Sequence, residues 1–248
     1  MQQRGYGIRI SFSTYARNGN PPEEIADALV AEALFESDDP TGGDYLRYQY
    51  GGYRLHYSTA NEGSKVRYTL RIIPSYYTTA AQERAVDGAV KEIIGSLGLN
   101  ADASDYDKTR AVATYLCDTV DYDTVHKHTP GSRHIQSTAY GALLSHTALC
   151  QGYAVACYRL LKELSVDTRI ITGDMVLRGK NERHAWNIVR IGGRYYNLDV
   201  TLMDSDGTLA YFLKSDEAFA ADHERDEKYR TDEFYREYPM SSESYSDE

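Results

Sequence analysis

The sequence predicts an α+β protein in which a helix over residues 150–164 packs on an antiparallel β-sheet. Apolar residues recur at helical spacing through this segment, so one side of the helix carries a continuous buried stripe. Farther along the chain, 183–191 and 194–201 alternate between apolar and polar residues, as strands do. The Gly-Gly pair between these two runs predicts a two-residue turn, which makes them an antiparallel hairpin.

The region before residue 78 is expected to form a small α/β unit without catalytic chemistry of its own. Alternating residues predict strands at 6–12, 48–58 and 64–77. The segment 59–64 is expected to be the turn between the last two strands. A helix is predicted over 20–35, where prolines and acidic residues precede an apolar stripe. We therefore define an N-terminal α/β region at 1–77.

Residues 78–238 are predicted to form a second domain that begins with two capped helices. The capping-box pairs Thr79–Gln82 and Ser104–Asp107 predict helices over 78–100 and 104–123. The last segment, 239–248, is polar and acidic, so we expect a disordered tail.

The composition excludes several classes of partner. With 248 residues and 42% hydrophobic content, the chain is long enough for a sizeable core. A net charge of −10, with no long basic run, argues against nucleic-acid binding through a general electrostatic field. No window approaches the ~18 apolar residues of a membrane span. Three cysteines cannot all pair within one chain, and their spacing fits no zinc pattern, so neither a disulfide framework nor a metal is expected.

The loop at 124–139 has no periodicity and precedes the cysteine-bearing helix. It is either a functional loop or an ordinary connector, and the sequence leaves this open. His126 and His128 lie in it without a nearby acidic or cysteine partner, so a metal site there is disfavoured. The first ten residues have no apolar h-region, so no signal peptide is expected. A trimmed secreted or cell-surface protein would look the same, and the compartment stays open.

Cys150 occupies the most reactive setting among the three cysteines. It stands where the loop turns into the helix, and the N–H groups at a helix start lower the pKa of a thiol. Cys157 lies two turns deeper in the apolar stripe, and Cys117 fits a small buried hydrophobic residue of the preceding helix. Gly152 would allow the backbone of a substrate to approach closely.

The predicted hairpin brings a base and an acid together. If the Gly-Gly pair forms the turn, Ile191 pairs with Arg194, and His184 and Asp199 fall on the same face as diagonal neighbours. A thiol nucleophile needs such a base, with a third group that orients it. A solvated histidine with an acidic residue nearby by chance is the alternative, but Cys150 upstream favours function.

These residues carry a resemblance to a known family. The segments "ALCQGYAVACYRLL", "HAWNIV" and "YYNLDVT" resemble the transglutaminase-like superfamily of cysteine enzymes, and "YFLKSDEAFAADH" resembles the segment after the core in bacterial members. The resemblance covers about 104–223 and implies a papain-like core. It implies that Cys150 is the nucleophile, His184 the general base and acid, and Asp199 the residue that orients His184.

The resemblance implies further roles. Trp186 would pack beside the catalytic histidine, and with Gln151 it is predicted to lie at the substrate-binding or oxyanion site. Tyr140 is the candidate for a second oxyanion donor, although it could equally be a packing residue. Many relatives have tryptophan where this chain has Leu202, which bears on the substrate rather than the triad. No acidic cluster resembles the calcium sites of animal transglutaminases, so no cofactor is implied.

The expected function is a cysteine-dependent amide hydrolase or acyl transferase that acts on protein or peptide substrates through a thioester. A peptidase is favoured over a cross-linking enzyme, because hydrolysis needs no second amine site. One alternative is an enzyme with the same triad and another substrate, either a small-molecule acyltransferase or a glycopeptide amidase. The other is a non-catalytic module that binds protein or glycan, and an intact triad argues against it. The oligomeric state is left open.

Overall fold

The structure is a computed structural model that describes residues 7–15, 21–125, 133–177 and 179–246. Helices alternate with two antiparallel sheets and one short pair of parallel strands, so the predicted α+β class is confirmed. The strands are β1 (Ile8–Tyr15), β2 (Tyr50–Glu62), β3 (Lys65–Tyr76), β4 (Asp121–Tyr122), β5 (Thr147–Ala148), β6 (Thr168–Leu177), β7 (Lys180–Ile191), β8 (Arg194–Leu198) and β9 (His223–Arg225).

The helices are α1 (Pro22–Ala33), α2 (Gly43–Arg47), α3 (Ala80–Ser96), α4 (Asp105–Thr119), α5 (Arg133–Gln136), α6 (Ala139–Leu144), α7 (Cys150–Glu163), α8 (Val200–Asp206), α9 (Asp216–Phe219) and α10 (Asp232–Glu237). A 3₁₀ turn spans Glu227–Tyr229. Both expected capping boxes are formed, at the starts of α3 and α4. Within the described ranges, no helix is long and apolar enough to cross a membrane.

The N-terminal strands form a three-stranded antiparallel sheet in the order β1-β3-β2. The turn between β2 and β3 is shorter than the sequence predicts. Strand β2 continues to Glu62, which pairs with Lys65, so the turn is only Gly63-Ser64 rather than 59–64. Gly63 has a φ of +65°, a conformation that glycine adopts without steric cost, and this permits the tight turn.

Helix α2 joins the N-terminal region to the rest of the molecule. Its Asp44 is fully buried, 2.8 Å from Nε of Arg169 on β6, and it also accepts the Ile170 N–H. Tyr45 belongs to the main hydrophobic core together with side chains of α7. The sequence predicts no helix here, because the segment is only five residues long. Helix α2 thus packs across the division expected at residue 77.

The main core surrounds α7, which lies between a four-stranded antiparallel sheet in the order β8-β7-β6-β9 and the helices α3, α4 and α6. Helix α7 is buried along almost its whole length, and it packs on β7 and β6. The Asn187 side chain on β7 donates to the carbonyl of Ala154 on α7 over 3.1 Å, which fixes the helix on the sheet. The two turn glycines join β7 to β8, with Ile191 opposite Arg194 as predicted.

The second hairpin strand is shorter than predicted. The sequence indicates a strand over 194–201, but the ladder ends where Leu198 pairs with Asn187. The next residue, Asp199, caps α8 by accepting the Leu202 N–H over 3.2 Å. Aspartate is among the preferred N-cap residues, so this contact ends the strand and begins a helix.

The described part of the C-terminal segment differs from the predicted disordered tail at 239–248. The Tyr245 ring stacks on Tyr106 with ring centroids 4.9 Å apart, and its N–H donates to the Leu213 carbonyl. The Ser241 N–H donates to the Tyr195 carbonyl on β8 over 2.8 Å. Backbone hydrogen bonds and the ring contacts of Tyr245 with Tyr106 and Tyr196 hold residues 239–246 on the core, despite their polar composition.

We expect Asp44→Ala to lower the free energy of unfolding by about 3 kcal/mol, because the Arg169 charge would remain buried without its closest carboxylate partner. Glu36, 3.4 Å from Arg169, compensates in part and keeps the loss at the lower end of the range. Urea unfolding followed by circular dichroism measures it. The exposed Asp102→Ala is the control and should change stability by no more than about 0.5 kcal/mol. Equal effects of the two variants would contradict the anchoring role of Asp44.

Candidate active site

Cys150 is the first residue of α7 and lines a cavity of about 500 Å³. Because Cys150 is the first helical residue, its N–H has no acceptor within the helix. The N–H groups of this first turn bring partial positive charge to the thiol. The Ala185 N–H of β7 also donates to the Cys150 sulfur. The sulfur therefore lies among groups that stabilise a thiolate.

His184 connects the thiol to a buried carboxylate. It lies on β7 opposite Gly173 of β6, and its side chain is buried. Its Nε2 is 2.7 Å from Oδ2 of Asp199, and the ring is also hydrogen-bonded to the Cys150 thiol. Because Nε2 is engaged by the carboxylate, Nδ1 is left for the sulfur. The structure thus brings Cys150, His184 and Asp199 into one hydrogen-bonded chain.

Asp199 is completely buried at the junction between β8 and α8. Its Oδ1 accepts the Leu202 N–H, and its Oδ2 lies within hydrogen-bond distance of two imidazoles, His184 and His223. Burial alone would raise the pKa of Asp199, but the charge on His184 and the hydrogen bonds from both rings hold that pKa far below its usual range. Asp199 is therefore an anion at any physiological pH.

The thiol and the imidazole shift the pKa values of each other in opposite directions. Burial alone would raise the pKa of Cys150, but the hydrogen bond and the positive charge of His184 lower it. Burial alone would lower the pKa of His184, but Asp199 and Cys150 raise it to about 10. Above the lowered thiol pKa and below the raised imidazole pKa, the site holds a thiolate–imidazolium pair.

The other two cysteines lie in different surroundings. Burial, with a contribution from the negative charge of Asp204, raises the pKa of Cys117 to about 12. Cys157 is fully buried in α7, and burial raises its pKa as well. Both thiols therefore keep their protons at neutral pH, which makes them poor nucleophiles.

The three additional residues predicted for the site have different locations. Gln151 lines the cavity, but its side-chain amide donates to the carbonyls of Tyr48 and Ser137 over 2.6 and 3.2 Å. Trp186 is buried beside His184, with ring centroids 6.2 Å apart, and borders a separate cavity of about 190 Å³. Tyr140 is half-buried against the main core and is not among the described residues that line the larger cavity.

Two residues that lie near Cys150, His184 and Asp199 are not predicted by the sequence to belong to the site. Tyr122 lines the cavity beside Cys150, and burial followed by the negative charge of Cys150 raises its pKa, so its hydroxyl keeps its proton. His223 contacts Asp199 from β9. It stands at the end of the segment that resembles bacterial members, but no periodicity there marks it as part of a site. Only the pairing of β9 with β6 brings it to the triad.

Gly152 makes room for the backbone of this chain at Gln136, and not for the backbone of a substrate as the sequence predicts. The sequence suggests room for a substrate, but a Cβ at this position would lie 2.2 Å from the Gln136 carbonyl oxygen. That same oxygen accepts the Leu149 N–H over 2.8 Å. The missing side chain therefore lets the preceding loop lie against the start of α7.

The described residues include one cluster with the composition of a metal site. Side-chain atoms of His184, Asp199 and His223 lie within 4.8 Å of one another. Each of these side chains is already engaged in hydrogen bonds with the others or with Cys150. His126 and His128, the other histidines considered for a metal, lie outside the described residues.

Comparison with known proteins supports the family resemblance. Residues 97–200 match the family model of the Transglutaminase-like superfamily, and this span includes Cys150, His184 and Asp199. The chain therefore contains a transglutaminase-like core, and the resemblance found in the sequence is confirmed for this span. No curated protein matches the chain.

Three solved structures are similar to this chain. One is a TGase, 16% identical with a TM-score of 0.44, over 79% of this chain and 51% of that one. A proposed cysteine protease from Cytophaga hutchinsonii is 14% identical with a TM-score of 0.38, over 61% of this chain and 65% of that one. A proposed protease from Parabacteroides distasonis is 11% identical with a TM-score of 0.31, and the match covers 78% of this chain and 40% of that one. The chain spans less than two thirds of the length of each.

At pH 7, iodoacetamide should alkylate Cys150 and leave Cys117 and Cys157 largely unmodified, because alkylation requires the thiolate and only Cys150 has a lowered pKa. Peptide mass spectrometry after brief treatment gives the site of labelling. Cys157→Ser should leave this labelling nearly intact, whereas Cys150→Ala should abolish it. Dominant labelling of Cys157 would reverse the assignment.

Proposed function

We propose that the protein is a cysteine-dependent amide hydrolase that acts on protein or peptide substrates through a thioester intermediate. The supporting observation is the hydrogen-bonded chain from the Cys150 thiol through His184 to Asp199, with the sulfur at the wall of a cavity. In this proposal Cys150 is the nucleophile, His184 the general acid and base, and Asp199 the residue that orients the imidazole.

Acylation uses the thiolate–imidazolium pair. The Cys150 sulfur attacks the carbonyl carbon of an amide, and the carbonyl oxygen becomes an oxyanion. As the tetrahedral intermediate collapses, His184 gives its proton from Nδ1 to the leaving nitrogen, the C–N bond breaks and an amine departs. The acyl group remains on the sulfur as a thioester. Asp199 accepts from Nε2 throughout and keeps the ring in the orientation that this transfer requires.

Deacylation reverses the roles of the imidazole. A water molecule enters where the amine left, and Nδ1 of His184 takes one of its protons as the oxygen attacks the thioester carbon. The C–S bond then breaks, which releases a carboxylic acid and restores the thiolate beside the imidazolium. If a second amine attacks in place of water, the product is a new amide. Water needs no dedicated site, so we favour hydrolysis over transfer.

The oxyanion needs hydrogen-bond donors close to the sulfur. The Cys150 N–H at the start of α7 is one, because the helix leaves it without an intrahelical acceptor. Tyr122 is better located than Tyr140 to be another, since its protonated hydroxyl belongs to a residue that lines the cavity. The Gln151 amide is engaged by two backbone carbonyls, so it supports the wall of the cavity in this proposal.

The cavity suits part of a peptide chain. Its walls combine apolar residues, Leu149 and Ala185, with the charged residues Glu182 and Arg183. A volume of about 500 Å³ falls within the usual range for binding clefts and exceeds what a single side chain fills. Mixed apolar and charged walls match a polypeptide better than a purely apolar acyl group. This composition favours a peptide over a small acyl donor.

Asp199→Asn should lower turnover by roughly 10- to 10³-fold with little change in fold, because its amide can present N–H to Nε2 and stabilise the wrong tautomer of His184. The rate of Cys150 alkylation should reach its half-maximal value at higher pH in the variant than in the wild type. Circular dichroism confirms folding. Superimposable pH profiles for the two proteins would show that Asp199 does not act on His184.

Fluorescein-labelled casein and a panel of short peptide amides, each with and without a biotinylated alkylamine, test the reaction itself. Release of acid-soluble fluorescence or of free amine by the wild type, but not by Cys150→Ala, would support a peptidase. Incorporation of the biotinylated amine at the expense of hydrolysis would replace the peptidase with an acyl transferase. If neither product forms while Cys150 stays unreactive toward iodoacetamide, the enzymatic proposal is refuted.

A further inference from the structure

His223 joins the triad from its far side, beyond Asp199. Its Nε2 is 3.2 Å from Oδ2 of Asp199, and its Nδ1 is 2.6 Å from Oδ1 of Asp222. We propose that His223 is a positioning residue for the reaction, which holds the Asp199 carboxylate in the orientation that His184 needs. This proposal rests on the function proposed above, and it assigns a fourth side chain to the same site.

A carboxylate contacts each nitrogen of the His223 ring. Ionised carboxylate oxygens only accept hydrogen bonds, so the ring is the donor toward Asp199. Hydrogen bonds to a carboxylate are about twice as strong as those between neutral groups. His223 thus connects the buried carboxylate to a second one that reaches solvent, since the Asp222 side chain is 30% exposed.

Asp199 is held at three points. Its Oδ1 accepts the Leu202 N–H, while its Oδ2 accepts from His184 and His223 together. If only the Leu202 N–H and His184 bound the carboxylate, it could still rotate about the axis through its two oxygens. The His184 ring would then change its orientation together with the carboxylate. The contact with His223 removes this freedom. The orientation of His184 toward the sulfur therefore depends on a residue that does not touch the sulfur.

The surroundings fix the His223 ring as firmly as the ring fixes Asp199. Phe219 stacks on it with ring centroids 3.8 Å apart, and Trp186 meets it edge-on at 5.2 Å. The Tyr211 hydroxyl donates to Asp222 Oδ2 over 2.7 Å, which holds the partner of Nδ1. The ring thus has one orientation, with Nε2 directed at Asp199.

Gly173 allows His223 to come this close. Strand β9 pairs with β6 so that Arg225 lies opposite Gly173, and His184 of β7 lies opposite the same glycine on the other side. A Cβ at Gly173 would lie 2.0 Å from the Glu224 carbonyl oxygen, so any other residue would push β9 outward. One glycine thereby controls the separation between the strands that carry the two histidines.

Two substitutions test the two nitrogens of His223 separately. The side-chain amide of glutamine lies nearly where Nε2 lies, so His223→Gln keeps a hydrogen-bond donor toward Asp199. The side-chain amide of asparagine lies nearly where Nδ1 lies, so His223→Asn keeps a donor only toward Asp222. Each variant loses the ring, so packing loss alone affects them similarly. A role in packing would not distinguish the two variants.

The test is the rate of Cys150 alkylation by iodoacetamide against pH. In His223→Asn, the rise of the rate with pH should move to higher pH by roughly one unit, which is about a tenfold loss of rate at any pH below the midpoints of both profiles. The rise should move by less than about half a unit in His223→Gln. His56→Asn and His56→Gln are matched controls, because His56 is exposed on β2 in the N-terminal sheet, and neither should shift the profile.

A double-mutant cycle shows whether His223 acts through Asp199. In an Asp199→Asn background, His223→Asn should add less than about a twofold change, because the carboxylate that it positions is already gone. Once a peptide substrate is known, His223→Asn should lower kcat and leave KM within about twofold, since His223 is not among the described residues that line the substrate cavity.

Two outcomes would overturn the role of His223 while the proposed function stands. One is that the alkylation rate of Cys150 rises at low pH in the wild type and that His223→Asn and His223→Gln have the same pH profile as the wild type. The other is a full, additive loss in the Asp199→Asn background. A wild-type rise near pH 8.5, the value of an ordinary thiol, would instead refute the thiolate–imidazolium pair and the role of His223 with it.

Discussion

A single buried negative charge at Asp199 connects the chemistry of this molecule to its architecture. An isolated carboxylate inside a protein is strongly unfavourable, so it needs close partners of opposite charge and hydrogen-bond donors. Here the partners are two imidazoles and one backbone N–H. The raised pKa of His184, and through it the lowered pKa of the Cys150 thiol, follow from the need to compensate this anion. Each member of this chain therefore stabilises the charged form of its neighbour.

The same carboxylate decides where secondary structure changes. Because Asp199 caps α8, β8 ends at Leu198, opposite Asn187, and the backbone leaves the sheet there. A residue that only faced His184 from a strand would leave the carboxylate able to rotate about χ1 and χ2. The cap fixes one oxygen to the backbone and leaves the other for the histidines. The same carboxylate thus caps α8 and orients His184.

The sequence predicts the parts of this site that depend on short-range patterns. The apolar stripe of α7 predicts that Cys150 lies at a helix start, and the turn glycines predict the register of β7 and β8. The sequence pattern does not reveal α8, because the alternation of apolar and polar residues continues from β8 into it. The helix begins there because of one hydrogen bond, from the Leu202 N–H to the Asp199 side chain.

Strands β6 and β9 also lack a sequence signal. A glycine interrupts the alternation of β6, and β9 is only three residues long, too short for a periodic pattern. Since β9 carries His223, the fourth member of the proposed site depends entirely on tertiary pairing. The tail at 239–246 is a similar case, because one tyrosine and a few backbone hydrogen bonds outweigh its polar composition.

The amide of Gln151 bears on how freely this domain can be exchanged between proteins. This side chain, next to Cys150, donates to a carbonyl at the end of α2 and to another before α6. A segment that lies well before the family core thus supplies part of the support for α7. A chimera that transplants only the matched core, 97–200, into another chain would lose that acceptor. The smallest unit that keeps both contacts of Gln151 therefore includes α2.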